Sequence, residues 1–347
     1  MNIGLGILIA LIAGALNGMF ALPMKLTNKW AWENVWLPFS FLSLLVLPLI
    51  IVFLSVPKLQ ELFHSLPVHC ILTGLVWGIV VYGGSLLFGI SLGYIGISLS
   101  FTLLVGSMSI VGIFLPLIIF NSGVLFSFGG ILILSGLLLF FISLYFSFKA
   151  GQLKELSLKN KNIESTGHKK SIRTGMGLAI TGGVLSGLLS LGMNMNWAKE
   201  IIDKAVQVGN ADVSFAGNAV LAIVLFGGLI PNVGYSSFLL TKNKSWILYK
   251  DKNYILYWIA VLAMGIPYSA STGLWGIAIS KSMLGRLGPS VGWALFIGMV
   301  VISSNVIGFL TGEWKNANKK SISFILISIG FIVSALLLIG YGNFRLY

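Results

Sequence analysis

The stretch that decides the fold reads ILTGLVWGIVVYGGSLLFGISLGYIGISLSFTLLVGSMSIVGIFLPLIIF and occupies residues 71–120. It belongs to a run of 87 residues, 62–148, that contains no Asp, Glu, Lys or Arg. A helix needs roughly 20 apolar residues to cross a bilayer, so this run predicts three membrane-spanning helices. Tight turns are expected near Gly93 and near residues 121–123. Barrel strands are excluded, because the runs are too long and too uniformly apolar.

The rest of the chain has the same apolar character. Hydrophobic residues make up 57% and charged residues 9% of the 347 residues, whereas soluble domains carry about a quarter charged residues. A soluble fold of this length could not hide so much apolar surface. The sequence therefore predicts an all-α membrane protein, and the length rule gives ten spans at 3–23, 35–56, 68–91, 95–119, 124–148, 174–197, 214–240, 254–280, 289–311 and 321–342.

The net charge of +13 comes from basic residues in the short gaps between spans. This placement favours a positive-inside membrane protein over a nucleic-acid partner. One alternate set of gaps holds 16 Lys and Arg and the other set holds 6, so we expect the richer set in the cytoplasm and both termini in the periplasm. Residues 3–22 lack a basic n-region and a clear cleavage site, so we interpret them as a retained first helix in a bacterial inner membrane.

A basic segment divides the ten spans evenly. Residues 1–148 and 174–347 each hold five spans, and residues 149–173 form a cytoplasmic linker. An odd number of spans in each half predicts opposite orientations, and therefore an inverted repeat that suits alternating access. Two matches at constant offsets support the repeat. Gly14, Leu16, Gly18, Leu22 and Met24 match Gly183, Leu185, Gly187, Leu191 and Met193, while Gly93, Gly96, Ser98, Leu103 and Gly106 match Gly285, Gly288, Ser290, Leu295 and Gly298.

The sequence offers little support for an enzyme. Cys70 is the only cysteine, and the histidines His64, His69 and His168 have no metal-ligand spacing. The Gly288–Gly292 stretch fits a nucleophile-elbow pattern, but it opens a membrane helix without the strand and histidine that an elbow needs. We therefore expect no catalytic residue, no metal and no cofactor.

Neutral polar side chains and deep tryptophans are the candidate substrate contacts. Amides and hydroxyls bind sugar hydroxyl groups, and an aromatic face packs against the C–H face of a pyranose. For each residue alone, interhelical hydrogen bonding or core packing is an equal alternative. The tryptophans at helix ends, including Trp36, are interpreted as belt residues. The candidates are Asn17, Trp77, Tyr82, Asn194, Asn196, Asn218, Tyr268, Trp275, Trp293 and Asn305.

Three loop motifs carry a resemblance to a known family. They are Lys29-Trp30-Ala31-Trp32-Glu33, Ala150-Gly151-Gln152-Leu153-Lys154-Glu155 and Glu313-Trp314-Lys315-Asn316-Ala317. Together with Met193-Asn194, they resemble the L-rhamnose–proton symporter family of the drug/metabolite transporter superfamily. The resemblance implies two inverted five-helix repeats, a cavity lined by helices one to four and six to nine, and the fifth and tenth helices outside.

The resemblance implies import of L-rhamnose or a related neutral sugar, coupled to protons. The stretch that enters the ninth helix, Gly288–Trp293, differs from the acidic, tyrosine-rich stretch of the enteric symporters, which leaves open a drug/metabolite-type transporter of another solute. A non-transporting scaffold with a packed interior is the third alternative. Proton coupling needs a titratable group, and the candidates at helix ends are Glu33, Glu200 and Lys281. Sodium as the coupling ion and a homodimer also remain open.

Overall fold

The computed structural model describes residues 1–95, 97–159, 171–250, 255–312, 314–315 and 317–347. Gly96, Glu313, Asn316, residues 251–254 and residues 160–170 of the predicted linker, which include His168, lie outside them. Every regular element within the described ranges is helical. The α-helices are α1 (Ile3–Met19), α2 (Trp32–Phe41), α3 (Leu47–Ser55), α4 (Leu59–Ser65), α5 (Val68–Ile95), α6 (Ile97–Ser109), α7 (Leu115–Asn121), α8 (Phe128–Lys159), α9 (Ile172–Gly192), α10 (Asn196–Gln207), α11 (Gly217–Lys242), α12 (Ile255–Ala278), α13 (Gly288–Leu310) and α14 (Lys319–Phe344).

Ten segments of the described chain are long and apolar enough to cross a membrane. They coincide with the ten predicted spans, with bounds that differ by a few residues. The prediction of an all-α protein with ten spans is confirmed. The segments are Ile3–Met24, Trp32–Ser55, Val68–Ser91, Ser100–Val124, Phe128–Lys154, Ile172–Gly192, Gly217–Lys242, Ile255–Ala278, Gly285–Leu310 and Lys319–Phe344.

The second and fourth spans each contain one π-helical turn. These turns are Leu42–Val46 and Ile110–Phe114, and each ends two residues before a proline, Pro48 or Pro116. A proline has no backbone N–H and its ring crowds the carbonyl four residues earlier. A wider turn relieves this crowding, and such π turns often occur at functional sites.

The sixth span is shorter than predicted. We expected it to reach residue 197, but α9 ends at Gly192 and the chain turns into the amphipathic helix α10. The face of α10 that carries Trp197 and Ile201 is buried, whereas Lys199 and Asp203 are exposed. Burying these charged side chains in the hydrocarbon layer would cost free energy. The segment therefore lies along the end of the bundle. At the predicted linker, α8 continues to Lys159, so the beginning of that segment is helical.

The two halves of the chain pack into each other. Helix α1 packs against α12 and α13, and α9 packs against α5 and α6. Helix α11 packs against α2 and α5, and α12 also packs against α2. The fifth and tenth spans, α8 and α14, pair with each other. The core therefore lies where spans of both halves meet.

Glycines allow the closest of these approaches. A Cβ on Gly14 of α1 would collide with the backbone oxygen of Phe296 in α13, and a Cβ on Gly183 of α9 would collide with the backbone oxygen of Leu104 in α6. Only glycine leaves room for a neighbouring backbone at such positions. The small-residue spacing in the sequence thus serves direct helix contact.

The two ends of the bundle can be distinguished by their loop contacts. The backbone N–H of Asn2 donates to the Ser282 carbonyl over 2.8 Å, and the N–H of Arg286 donates to the Tyr347 hydroxyl over 2.7 Å. Both termini therefore meet the loop between α12 and α13. We call this end the terminal side, and we call the opposite end, where α8 leads into the linker, the linker side.

Candidate functional site

A cavity of about 1140 Å³, including its opening, lies between the two halves of the chain. The first to fourth and sixth to ninth spans contribute its walls, and no lining residue in the described part of the chain carries a formal charge. This arrangement differs from the packed interior that a scaffold would have. The lining residues are Asn17, Phe20, Trp36, Phe39, Ser40, Leu44, Val81, Tyr82, Ser85, Phe88, Phe101, Leu104, Val105, Met108, Ser186, Leu189, Asn232, Tyr268, Thr272, Trp275, Trp293, Phe296, Ile297 and Val300.

Aromatic rings form one wall of the cavity. The ring of Phe39 stacks on Phe20 with centroids 5.6 Å apart and meets the edge of Tyr268 at 5.5 Å. Phe20 and Tyr268 are 5.2 Å apart in an edge-to-face arrangement. Offset and edge-to-face rings of this kind hold each other in place. The wall therefore offers a fixed apolar surface to a bound molecule.

Two tryptophans stand toward the terminal side of the cavity. The rings of Trp275 and Trp293 meet at 5.2 Å with an interplanar angle of 72°, and Trp293 stacks on Phe296 at 5.8 Å. The indole nitrogen of Trp293 lies so close to Gly112, in the π turn of the fourth span, that a Cβ there would collide with it. This aromatic group joins the eighth and ninth spans to the fourth.

A tryptophan and an asparagine link the two halves at the cavity wall. The indole N–H of Trp36 donates to the side-chain oxygen of Asn232 over 2.9 Å, and the Asn232 amide donates to the Gly228 carbonyl over 2.8 Å. Asn232 is almost fully buried. A buried amide is stable only when it is paired, so this bond fixes both side chains.

Hydroxyl groups complete the polar part of the cavity. The phenol groups of Tyr82 and Tyr268 interact with each other. Ser85 and Thr272 donate to carbonyl groups of their own helices, over 2.6 and 3.0 Å. Asn17, by contrast, makes no side-chain hydrogen bond to the described residues, so its amide remains available to a ligand.

In the first half of the chain, the residues that line the cavity lie toward the linker side. In the first four spans, Phe20, Trp36, Phe88 and Phe101 lie within four residues of the helix ends on that side. Every lining residue of these four spans lies more than ten residues from the helix ends on the terminal side. In these four spans the lining therefore stops well short of the terminal side.

Comparison with known proteins identifies the family. A family model described as L-rhamnose-proton symport protein matches residues 1–344. The chain belongs to this family. It is 28% identical to the L-rhamnose-proton symporter of Citrobacter koseri and 28% identical to that of Escherichia coli (strain 55989 / EAEC), with 98% of both chains covered in each comparison. The predicted resemblance to this family is confirmed, and the symporter is an integral multi-pass membrane transporter, not an enzyme.

Five of the ten sequence-predicted contacts line the cavity of the symporter. They are Asn17, Tyr82, Tyr268, Trp275 and Trp293. They come from the first, third, eighth and ninth spans, so the fold gathers residues that are as far as 276 positions apart in the chain.

The other five predicted contacts lie elsewhere in the symporter. Trp77 donates to the Leu188 carbonyl over 3.0 Å, and the Asn194 and Asn305 amides donate to carbonyls of their own chain segments over 3.1 and 2.8 Å. Asn218 donates to Ser55 over 3.1 Å beside a second, smaller cavity. Asn196 is exposed at the start of α10.

Sequence reasoning missed Trp36 and Asn232 as lining residues. Trp36 is predicted from the sequence to be a belt residue, because it lies at a helix end. It stacks on Trp32 at 5.0 Å, yet it lies one turn deeper and faces the cavity. Asn232 follows Pro231 in the middle of a span. A polar residue beside a mid-span proline was the available signal.

The three predicted ion-coupling residues occupy different environments. Lys281 is 75% exposed in the loop on the terminal side, 3.9 Å from Asp203. Glu200 lies on α10, also on the terminal side. Glu33 is 4% exposed in the first turn of α2 on the linker side. Of the three, Glu33 is the carboxylate that lies one helical turn from a lining residue, Trp36.

Polar groups from the second half of the chain surround Glu33. Its carboxylate accepts from the Asn243 amide over 2.7 Å and from the Ser245 hydroxyl over 3.1 Å. Burial, with a further contribution from the Glu33 carboxylate, raises the pKa of the nearby Tyr249 hydroxyl. Tyr249 therefore stays protonated and donates to the Asn34 carbonyl over 3.0 Å, which Pro38 leaves without its helical partner.

Proposed function

We propose that this symporter imports L-rhamnose, or a closely related neutral sugar, across the bacterial inner membrane together with protons. The observation that carries the proposal is the uncharged, aromatic-walled cavity between the two halves of a chain that belongs to this family. An ion would need charged or carbonyl ligands, whereas a deoxy sugar needs apolar ring faces and a few neutral hydrogen-bonding groups.

Each part of the cavity has a role in this proposal. The Phe39 and Tyr268 rings pack against the C–H face and the methyl group of the sugar. The free amide of Asn17 and the groups fixed by the Trp36–Asn232 bond bind its hydroxyl groups. Because Asn232 is already oriented, little rotamer entropy is lost when the sugar binds.

The linker side is the cytoplasmic side in this proposal. The gaps that reach this side hold the larger number of basic residues, 16 against 6, as the positive-inside rule requires. The Trp275–Trp293 group then lies toward the periplasmic side, and the termini are periplasmic.

The inverted repeat is supported by equivalent helix contacts. Gly14 meets the Phe296 carbonyl and Gly183 meets the Leu104 carbonyl, at the same two sequence offsets that align the halves. One turn further, Gly18 meets the carbonyl of Val300 and Gly187 meets that of Met108, again at these offsets. Under these offsets α1 corresponds to α9, and α13 corresponds to α6. The contact between α1 and α13 is therefore equivalent to the contact between α9 and α6. Two related packings of this kind are what alternating access uses.

Glu33 is the proposed proton carrier. It is buried, one turn from Trp36, and held by Asn243 and Ser245 from the second half of the chain. A rearrangement of the halves would break these bonds and change the environment of the carboxylate. Protonation of Glu33 and rearrangement of the two halves would therefore be coupled, because each alters the stability of the other.

The proposal is tested by uptake into proteoliposomes that contain the purified symporter. We expect accumulation of radiolabelled L-rhamnose when the interior is alkaline, and loss of this accumulation when a protonophore is added. Accumulation that requires a sodium gradient instead would overturn proton coupling. Competition with unlabelled neutral sugars and with drug-like cations addresses the alternative solutes. The proposal fails if no sugar competes or accumulates while another solute does.

A further inference from the structure

A cluster of potential metal ligands lies on the terminal side, outside the transport cavity. His69 and Cys70 belong to the first turn of α5, and Glu200 belongs to α10. The Cys70 sulfur is 3.3 Å from His69 Nε2 and 3.3 Å from Glu200 Oε2, and the last two atoms are 3.8 Å apart. One ligand atom from each residue therefore shares a single small volume.

The two separations from the Cys70 sulfur are close to the edges of a metal-coordination tetrahedron, and the 3.8 Å separation between His69 and Glu200 is slightly longer. Zinc–sulfur bonds of about 2.3 Å and zinc–nitrogen or zinc–oxygen bonds of about 2.0–2.1 Å, at tetrahedral angles, place ligand atoms about 3.3–3.6 Å apart. We propose that His69, Cys70 and Glu200 bind one Zn²⁺ ion. The three side chains would need only small adjustments, because they are already gathered without the metal.

The charges of the cluster suit a divalent cation near a low-dielectric interior. Cys70 is fully buried and Glu200 is half-buried. A thiolate and a carboxylate together balance the charge of Zn²⁺, and a neutral imidazole adds none.

The exposure of the histidine leaves one coordination position open. The His69 side chain is 71% exposed, so water can reach the fourth position of a three-residue site. Three protein ligands with a water molecule in the fourth position are a known arrangement around zinc. Because Cys70 and Glu200 lie in different halves of the chain, a bound ion would join the two halves on the terminal side.

The proposal is tested with Co²⁺ as a spectroscopic substitute, using the purified full-length symporter in detergent. Since Cys70 is the only cysteine, a thiolate-to-cobalt charge-transfer band can arise only there. We expect one Co²⁺ per chain, the charge-transfer band, and its displacement by one equivalent of Zn²⁺. Cys70→Ser should remove the band, and Glu200→Gln should weaken Zn²⁺ binding by more than about tenfold, since loss of merely supporting groups already costs that much.

His64→Ala is the matched control, because His64 lies on α4 near the same side but outside the cluster. It should leave both the band and the affinity unchanged. Glu200→Gln keeps the size of the side chain, so it provides a test even if Cys70→Ser folds poorly. The proposal is overturned if Co²⁺ produces no thiolate band, or if Zn²⁺ affinity is the same in Glu200→Gln and the unmodified protein.

Discussion

The indole N–H of Trp36 and the side-chain oxygen of Asn232 are joined by a 2.9 Å hydrogen bond across the boundary between the two halves of the chain. One residue comes from the linker-side end of the second span, and the other comes from the middle of the seventh. The bond fixes an amide at the wall of the cavity, where a sugar hydroxyl group would bind. In the proposed binding mode, this contact affects both the affinity for sugar and the packing of the two halves.

Replacement of Trp36 by phenylalanine should weaken sugar binding. Trp36→Phe keeps an aromatic ring but leaves the buried Asn232 oxygen unpaired, at a cost of about 1–3 kcal/mol. This cost falls on stability, so we expect a lower Tm in detergent. Because the Asn232 amide also loses the bond that orients it, we expect a higher KM for L-rhamnose uptake. Trp246→Phe is the control, because Trp246 is exposed and its N–H donates to Thr241 away from the cavity. An equal effect of the two substitutions would contradict a role for Trp36 in the cavity.

Two other tryptophans should differ in their contribution to stability. The Trp77 N–H donates to the Leu188 carbonyl over 3.0 Å, whereas the buried Trp293 N–H has no partner among the described residues. Trp77→Phe therefore removes a hydrogen bond, worth about 1 kcal/mol, and Trp293→Phe removes an unpaired donor. Thermal unfolding in detergent should show the lower Tm for Trp77→Phe. The reverse order would mean that Trp293 has a partner that the structure does not show.

Neutralisation of Glu33 should uncouple transport from the proton gradient. Glu33→Gln preserves the shape of the side chain but cannot release a proton. We expect sugar exchange across the membrane to continue at equal pH, while accumulation driven by a pH gradient is lost. Glu61→Gln is the control, since Glu61 lies on α4 on the terminal side and forms an exposed pair with Lys58 at 3.1 Å. If Glu33→Gln still accumulates sugar, the proton carrier is another group.

Alanine at the two equivalent glycines should destabilise the symporter to a similar extent. Gly14→Ala and Gly183→Ala each force a methyl group against a backbone carbonyl of the other helix. Overpacking of this kind costs about 1–3 kcal/mol, so we expect a lower Tm for both variants. Gly4→Ala and Gly177→Ala are controls on the same two helices, where a Cβ would meet nothing within 4 Å. A loss of stability in only one of the pair would argue against equivalent packing.

Sequence periodicity and length were sufficient to predict the ten spans, because a bilayer requires each crossing segment to be a long apolar helix. The length rule was misleading at the sixth span. Apolar residues continue past Gly192, but the charges of α10 keep that segment at the end of the bundle. The average hydrophobicity of a sequence window does not show where a span ends when charged residues set that end.

The cavity was predictable only in part, for a different reason. Neutral polar residues inside spans either bind ligands or join helices, and their sequence surroundings are the same. Asn17 and Asn305 are both amides in apolar helices, yet Asn17 lines the cavity and Asn305 bonds to its own helix. The His69–Cys70–Glu200 cluster was likewise invisible, since Glu200 lies 130 residues from Cys70.

The central claim is that L-rhamnose occupies the cavity between the two halves. It is tested most directly by substrate protection of a cysteine placed in the cavity wall, Ser85→Cys, in a Cys70→Ser background. Labelling by a small methanethiosulfonate reagent should slow as L-rhamnose is added, with half-protection near the KM for uptake. A cysteine at Ser214→Cys on the terminal side should react at a constant rate. Unchanged labelling of Ser85→Cys at saturating L-rhamnose would contradict the claim.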